Sequence, residues 1–419
     1  VEEPVEPPAA AALPYVEFVA MVALLMALNA MAIDIILPAL QQMGASLSVH
    51  DENARQLPLT AYIAVFGVSQ LFYGPLADRY GRRPVLLFGL ALYALGCLGA
   101  TFSGNFTMLL AMRAIQGLGA GATRVIAIAV VRDTYGGRRM ASVMSLAMMV
   151  FMAVPILAPT LGQGISMIVG WRGILFTVAL FGVAVMAWCW LRLPETLREG
   201  DRRPLQAGPV LEAFRLVVTN RIAFAYALGT AMMFGCIFAF LNSAQQVFQE
   251  TYDLGAAFPL YFSSGAVFMA AASFTNARLV ERFGMRRLSH GALLGFVAAS
   301  GLLCLIAVAG HGRMPFWTFY LLMTIALCQF GFIGTNFNAL AMEPLGHVAG
   351  TASAVLGSLQ TFVGGVIGAG VGYAYNGTLL PLSLGFFALA LLNIAIVATV
   401  ERGKLFGGAP IVSQQPGAE

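Results

Sequence analysis

The feature that most limits the fold is a succession of apolar runs, each long enough to cross a lipid bilayer. A spanning helix needs about 20 mainly apolar residues, and lipid offers no partner to an exposed backbone N–H or C=O. Such runs are predicted at 15–40, 56–77, 84–103, 106–131, 140–169, 171–191, 219–248, 256–280, 287–309, 315–341, 348–375 and 379–400. They are roughly twice the length of a barrel strand and apolar on every side, so helices are expected rather than a β-barrel. Only 10% of the 419 residues are charged and 59% are hydrophobic, a balance foreign to soluble domains of this length. The predicted fold class is an all-α integral membrane protein with twelve transmembrane helices.

Twelve crossings place both termini on one side. Loops on that side carry Arg79, Arg82, Arg83, Arg132, Arg138, Arg139, the arginines from Arg192 to Arg215, and Arg278, Arg282, Arg286 and Arg287. The opposite side has only Arg55, Arg172 and Arg313 near its surface. The positive-inside rule makes the arginine-rich side cytoplasmic. Residues 1–14, acidic and Pro-rich, are expected to form a disordered cytoplasmic tail rather than a secretory signal, with 401–419 as the tail at the other end. The longest internal polar stretch, 193–218, is read as a cytoplasmic linker between six-helix bundles at 15–192 and 219–400.

Cys97, Cys189, Cys236, Cys304 and Cys328 all fall in apolar runs, with no CxxC spacing, and are read as small buried hydrophobes. No metal-ligand spacing, phosphate loop or nucleophile–base pattern is present, so no cofactor, no metal, no nucleic-acid partner and no enzymatic role are expected.

Against this apolar background, "GPLADRYGRRP" at 74–84 is a polar island with four charges in eleven residues. Its core "LADRYGRR" aligns with "LVERFGMR" at a shift of 203, matching Asp78 to Glu281, Arg79 to Arg282 and Gly81 to Gly284. Both copies follow the second span of their half, as in transporters built from two parallel six-span repeats. Gly74 and Gly81 suit tight turns and close helix approach. Asp78 can pair with an arginine or cap a helix across the boundary between the halves. A gate is expected here, formed with Arg79, Arg82, Arg83, Glu281 and Arg282; the alternative is that the arginines only set topology. Pro155, Pro159 and Gly162 in span five point to a bent, closely packed helix that seals one side of a cavity, or to ordinary membrane packing. Glu343, at the end of span ten, reads as a cytoplasmic cap or gate, or as a second proton site.

Asp34 is the central candidate. It lies in span one about six residues from the far end, roughly 9 Å deep. An unpaired carboxylate there costs several kcal/mol, which favours the protonated acid and suits a group that carries a proton across. The plainer alternative is a helix-end Asp bonded to nearby backbone ahead of Pro38. Arg113 in span four lies at a similar depth, and is expected either to couple to Asp34 or to tie helix backbones together. Arg124, three turns further along the same helix, either snorkels to the surface or lines the cavity mouth and attracts anionic groups. Cavity candidates from five spans are Asn29, Tyr62, Phe66, Met148, Phe151, Phe234, Phe238, Asn242, Phe330, Asn336 and Asn338. An apolar, aromatic and Met-rich pocket with few polar groups would take lipophilic compounds. Each aromatic can equally face lipid or another helix.

"GPLADRYGRRP" resembles the loop motif of the major facilitator superfamily. "RAIQGLGAG" (113–121) resembles its arginine helix motif, and "VPILAPTLGQGI" (154–165) the Pro/Gly motif of its drug antiporters. With "DIILPAL" (34–40) and "AGTASAVLGSLQ" (349–360), the chain is most similar to the Bcr/CflA group. It departs from the antiporter pattern in reading Ala158-Pro159-Thr160-Leu161-Gly162-Gln163, where Gly-Pro-x-x-Gly-Gly is usual. Ile128 stands where an Arg is usual in the group, with Arg124 one turn earlier on a similar face. The resemblance implies two pseudo-symmetric bundles and a coupling role for Arg113. It implies export of phenicols, cationic dyes or related toxins in exchange for protons, in a bacterial inner membrane and as a monomer. The alternatives are a proton-coupled importer of a sugar or organic acid, which would want a more polar pocket, and a transporter-like receptor.

Overall fold

The computed structural model describes residues 13–202, 208–403 and 405–406; most of both expected tails lies outside these residues. α1 (Tyr15–Asp34) runs through a short 3-10 turn at Leu37–Ala39 into α2 (Leu40–Ser46), so the first span bends just after Asp34 and ahead of Pro38. α3 (Leu57–Tyr80), α4 (Arg82–Thr101) and α5 (Phe106–Thr134) follow. α6 (Gly137–Arg192) is one continuous assignment but holds two crossings, 137–169 and 171–192, broken at Gly170, whose φ is 73°. The second half is α8 (Arg221–Gln245), α9 (Phe258–Phe283), α10 (Met285–Ala309), α11 (Phe316–Met342), α12 (Ala349–Tyr373) and α13 (Leu380–Val400). Twelve apolar crossings therefore form the two bundles, and no strand occurs among the described residues.

The sequence dictates this arrangement through solvent. With few charges to spend on a surface, the chain leaves large apolar side chains such as Ile168, Leu305 and Trp317 exposed around the bundle, where lipid is the matching medium. Inside, small residues let helices approach; packing rather than water exclusion between helices then supplies the cohesion.

The polar stretch at 193–218 is not structureless. It contains α7 (Gly208–Thr219), whose Ala213 and Val217 are buried while Glu212 and Arg215 are exposed. Apolar residues four apart make one buried stripe, which holds this helix against the end of the bundle.

The two halves meet most closely along α3 and α12 and along α6 and α9. The contacts are unequal at the two ends. At the face away from the linker, Asn53 Nδ2 donates to the Tyr375 carbonyl at 2.9 Å, and Gln246 Nε2 donates to Asn53 Oδ1 at 3.0 Å. The Tyr373 hydroxyl donates to Asp51 at 3.2 Å, and Arg55 lies 3.6 Å from Glu250. Each of these ties one half to the other. At the linker face the halves part around a cavity of about 880 Å³. The molecule is closed at the far face and open at the linker face.

Candidate functional site

The cavity wall combines residues of α3, α5, α11 and α12 with Leu197, Gly200, Asp201, Arg202 and Glu212 of the linker. Its deepest polar side chains are Gln70, Arg124, Asn338 and Gln360. Gln70 Nε2 lies 3.4 Å from the Thr361 hydroxyl, Arg124 Nη1 donates to the same hydroxyl at 3.5 Å, and Gln360 Nε2 donates to Asn338 Oδ1 at 3.1 Å. These contacts join α3, α5 and α11 to α12 and form the ceiling of the cavity. Above them Ile63 and Phe362 help close α3 onto α12, where Gly67 and Gly365 leave room. Arg124, which the sequence left divided between surface and cavity, lines the cavity.

Asp34 is 4% exposed and lies on the closed side of this ceiling, away from the cavity wall. Its carboxylate has no ion-pair partner among the described residues. Arg113, fully buried, does not pair with it. Its Nη2 donates to the Ala32 carbonyl at 3.0 Å, its Nε to the Pro58 carbonyl at 3.2 Å, and its Nη1 to Gln116 Oε1, while Tyr62 stacks under the guanidinium at 4.6 Å. Matched depth along the axis did not bring the two side chains together, because Arg113 is turned toward the Ala32 and Pro58 carbonyls. In this conformation Arg113 clasps α1, α3 and α5, two residues from Asp34.

Below that clasp runs a second buried network. The Tyr62 hydroxyl donates to Asn29 Oδ1 at 3.2 Å, and Asn29 Nδ2 donates to the Thr123 hydroxyl at 2.8 Å. Phe66 stacks on Tyr62 at 5.9 Å. Asn29, Tyr62 and Phe66 thus satisfy one another inside the first bundle and do not line the cavity here. Gly162 carries the first arm of α6 against this region: a Cβ there would overlap the Ile35 carbonyl oxygen, beside Asp34. Pro159 and Pro155 lie about one and two turns before it, and Met148 and Phe151, earlier in the same arm, are half-buried outside the cavity wall.

In the second bundle Phe234 packs on Phe238 at 5.9 Å and on Phe330 at 5.3 Å, an aromatic cluster around which Gly364 and Gly368 of α12 close. Asn336 donates to Asn276 Oδ1 at 2.8 Å, joining α11 to α9. Asn242 receives Thr60 at 3.4 Å and belongs to the far-face closure. Of the cavity candidates read from the sequence, Arg124 and Asn338 line the cavity in this conformation and the others do not.

The loop motif folds into a compact charge cluster. Gly81, at φ 101°, turns the chain between α3 and α4, and any side chain there would collide with Glu195. Glu195 instead accepts the Arg82 and Arg83 backbone N–H groups at 2.8 and 3.2 Å, capping α4 from a position 113 residues away. Arg82, 4% exposed, bridges Asp78 and Asp133, and Arg83 donates to the Trp190 carbonyl. Asp78 thus pairs within its own half. Among the described residues it makes no ion pair across the half boundary of the kind expected from the sequence, because Arg82 takes it instead. Gly74 lies on the open cavity wall with no neighbour, and Arg79 is exposed.

The second copy works differently. Glu281 is exposed and Arg282 lies over the Phe283 ring. Arg286 does the bridging, to Glu401 at 3.0 Å and Glu343 at 3.4 Å. Burial pushes the Glu401 carboxyl up, but the Tyr226 hydroxyl, 2.6 Å away, and Arg286 prevail and hold it below the ordinary carboxylate range.

Comparison with known proteins agrees with this architecture. A sequence profile of the Major Facilitator Superfamily matches residues 22–369. A bicyclomycin resistance protein homolog of Haemophilus influenzae is 29% identical over 90% of this chain and 94% of its own length. Multidrug resistance protein D of Escherichia coli is 32% identical over 84% of this chain and 87% of its own. Among solved structures, an inward-facing bacterial homolog of the human lysosomal transporter Spinster superposes with a TM-score of 0.71 at 16% identity, covering 95% of this chain and all of that one. The chain is therefore a multi-pass membrane transporter that belongs to the Major Facilitator Superfamily, and within it to the Bcr/CflA-like group of its bicyclomycin- and multidrug-resistance relatives.

Proposed function

We propose that this transporter exports small lipophilic compounds in exchange for protons, by alternating access, as a monomer in a bacterial inner membrane. The observation that carries the reading is the separation of a buried, ion-pair-free Asp34 from the cavity by the α3–α12 ceiling. With the arginine-rich linker face read as cytoplasmic, the cavity takes its cargo from inside. Asp34 sits on the side that opens outward, where an acid of low cost when neutral gains a proton. Resistance relatives at about 30% identity support efflux.

α5 connects the two sites. It holds Arg113 at the backbone beside Asp34 and Arg124 in the cavity, eleven residues or roughly 16 Å apart. Cargo pulling on Arg124 displaces the Arg113 clasp and favours release of the proton; loss of cargo restores it. The linker-face cluster of Arg82, Asp78 and Asp133 rearranges as that face closes. Breaking the far-face contacts opens the other.

Purified protein in liposomes tests this. With an imposed pH gradient, labelled chloramphenicol should move against the direction of proton flow. Uptake in the same direction as the protons would sink the antiport reading and favour an importer.

A further inference from the structure

We infer that the cavity ceiling is a subsite for an anionic group, most simply a carboxylate, on a compact apolar body. This rests on the reading that the linker-face cavity holds the transported compound, and it narrows that compound's chemistry. Arg124 is ten residues from the end of α5, roughly 15 Å into the protein from the linker face. It is the deepest charge on the cavity wall, and its one side-chain hydrogen bond among the described residues is the long one to the neutral Thr361 hydroxyl. No carboxylate comes within 4.0 Å of it among the described residues.

The acids that share this wall are placed elsewhere. Asp78 and Asp133 are held by Arg82 two to three turns nearer the mouth, and Asp201 and Glu212 belong to the linker segment. At the mouth these acids share the wall with Arg82, Arg132 and Arg202, so charge there is mixed, whereas at the ceiling Arg124 is the one charged side chain among the described lining residues. A guanidinium stays charged at any working pH, and a site that excludes water makes its attraction for an anion larger. Arg124 presents a planar fork of donors, and Asn338, exposed to the cavity from the opposite half, adds an amide. Leu71, Val125, Ile128 and Val355 line the walls and suit an apolar body. A permanent cation, such as a dye, meets an uncompensated positive charge. The isolated Arg124 thus argues against the cationic part of the expected cargo.

The test uses full-length protein in nanodiscs, titrated with 2-naphthoate, 2-naphthamide and 2-naphthylmethylammonium, three ligands of nearly one shape. Wild type should bind the carboxylate about tenfold or more tighter than the amide, with the ammonium weakest. Arg124→Gln should bring the carboxylate-to-amide ratio close to one, and Arg124→Lys should keep part of the preference. The wild-type series needs no variant to fold: equal affinities, or tighter ammonium binding, overturn the proposal. A carboxylate preference that survives in folded Arg124→Gln also overturns it. Because the readout is equilibrium binding, it separates from the transport reading. An Arg124-dependent carboxylate preference without proton-coupled export keeps the subsite and sinks the exporter. Coupled chloramphenicol export with no carboxylate preference does the reverse.

Discussion

The far-face closure offers the sharpest perturbation of conformational balance. Asn53 and Gln246 make three hydrogen bonds across the halves there, to the Tyr375 carbonyl, the Glu52 carbonyl and each other. All three must break for the far face to open. A neutral hydrogen bond contributes a net ~0.5–1.5 kcal/mol, so Asn53→Ala with Gln246→Ala should cost the linker-open state about 1.5–4.5 kcal/mol relative to its alternative. At 1.4 kcal/mol per factor of ten, the equilibrium moves roughly tenfold to a thousandfold toward far-face opening. The assay is thiol labelling at Ala354→Cys, on the cavity wall, by a charged maleimide supplied from the linker face. Four of the five native cysteines are buried and give little background. The double variant should label markedly more slowly than the protein carrying Ala354→Cys alone. An unchanged or faster rate would refute the claim that these contacts hold the far face shut.

Three further outcomes follow from packing and charge. Gly162→Ala should lower thermal stability by ~1–3 kcal/mol, since its Cβ overlaps the Ile35 carbonyl; a neutral result in a melting assay would deny the close approach of α1 and α6. Asn29→Ala should cost ~1–3 kcal/mol by leaving the buried Tyr62 hydroxyl without its acceptor, while the Thr123 hydroxyl keeps the Ala120 carbonyl, and Tyr62→Phe in the same background should recover part of it. Glu401 is held below its unfolded carboxylate value, so its charge adds stability above about pH 4.3 and that contribution fades as pH falls through the lower folded value. Wild type should therefore lose more melting temperature between pH 6 and pH 4 than Glu401→Gln.

The twelve crossings were legible because a bilayer imposes length and apolarity on each one, and both can be counted along the chain. The rotation of each helix was not. In lipid the outward face is as apolar as the packed one, so hydropathy does not say which way Phe234, Phe238 and Phe330 turn. They turn toward one another. Asp34 and Arg113 share a depth but not a direction, and the Ala32 and Pro58 backbone carbonyls took the guanidinium instead. The partners of the loop motif, Asp133 and Glu195, lie 51 and 113 residues from Arg82 and carry no local pattern of their own. Gln70, Gln360 and Thr361 were passed over for the same reason, although an uncharged amide within a span is a usable signal because it needs a partner. The far-face contacts draw on short polar loops that read as mere connections.

Proton release from detergent-purified protein is the most direct measurement of the coupling assigned to Asp34. With a pH dye in weak buffer, adding chloramphenicol to wild type should release protons, while Asp34→Asn, still binding the compound, should release none. Equal release from the two proteins would contradict a mechanism in which Asp34 carries the proton.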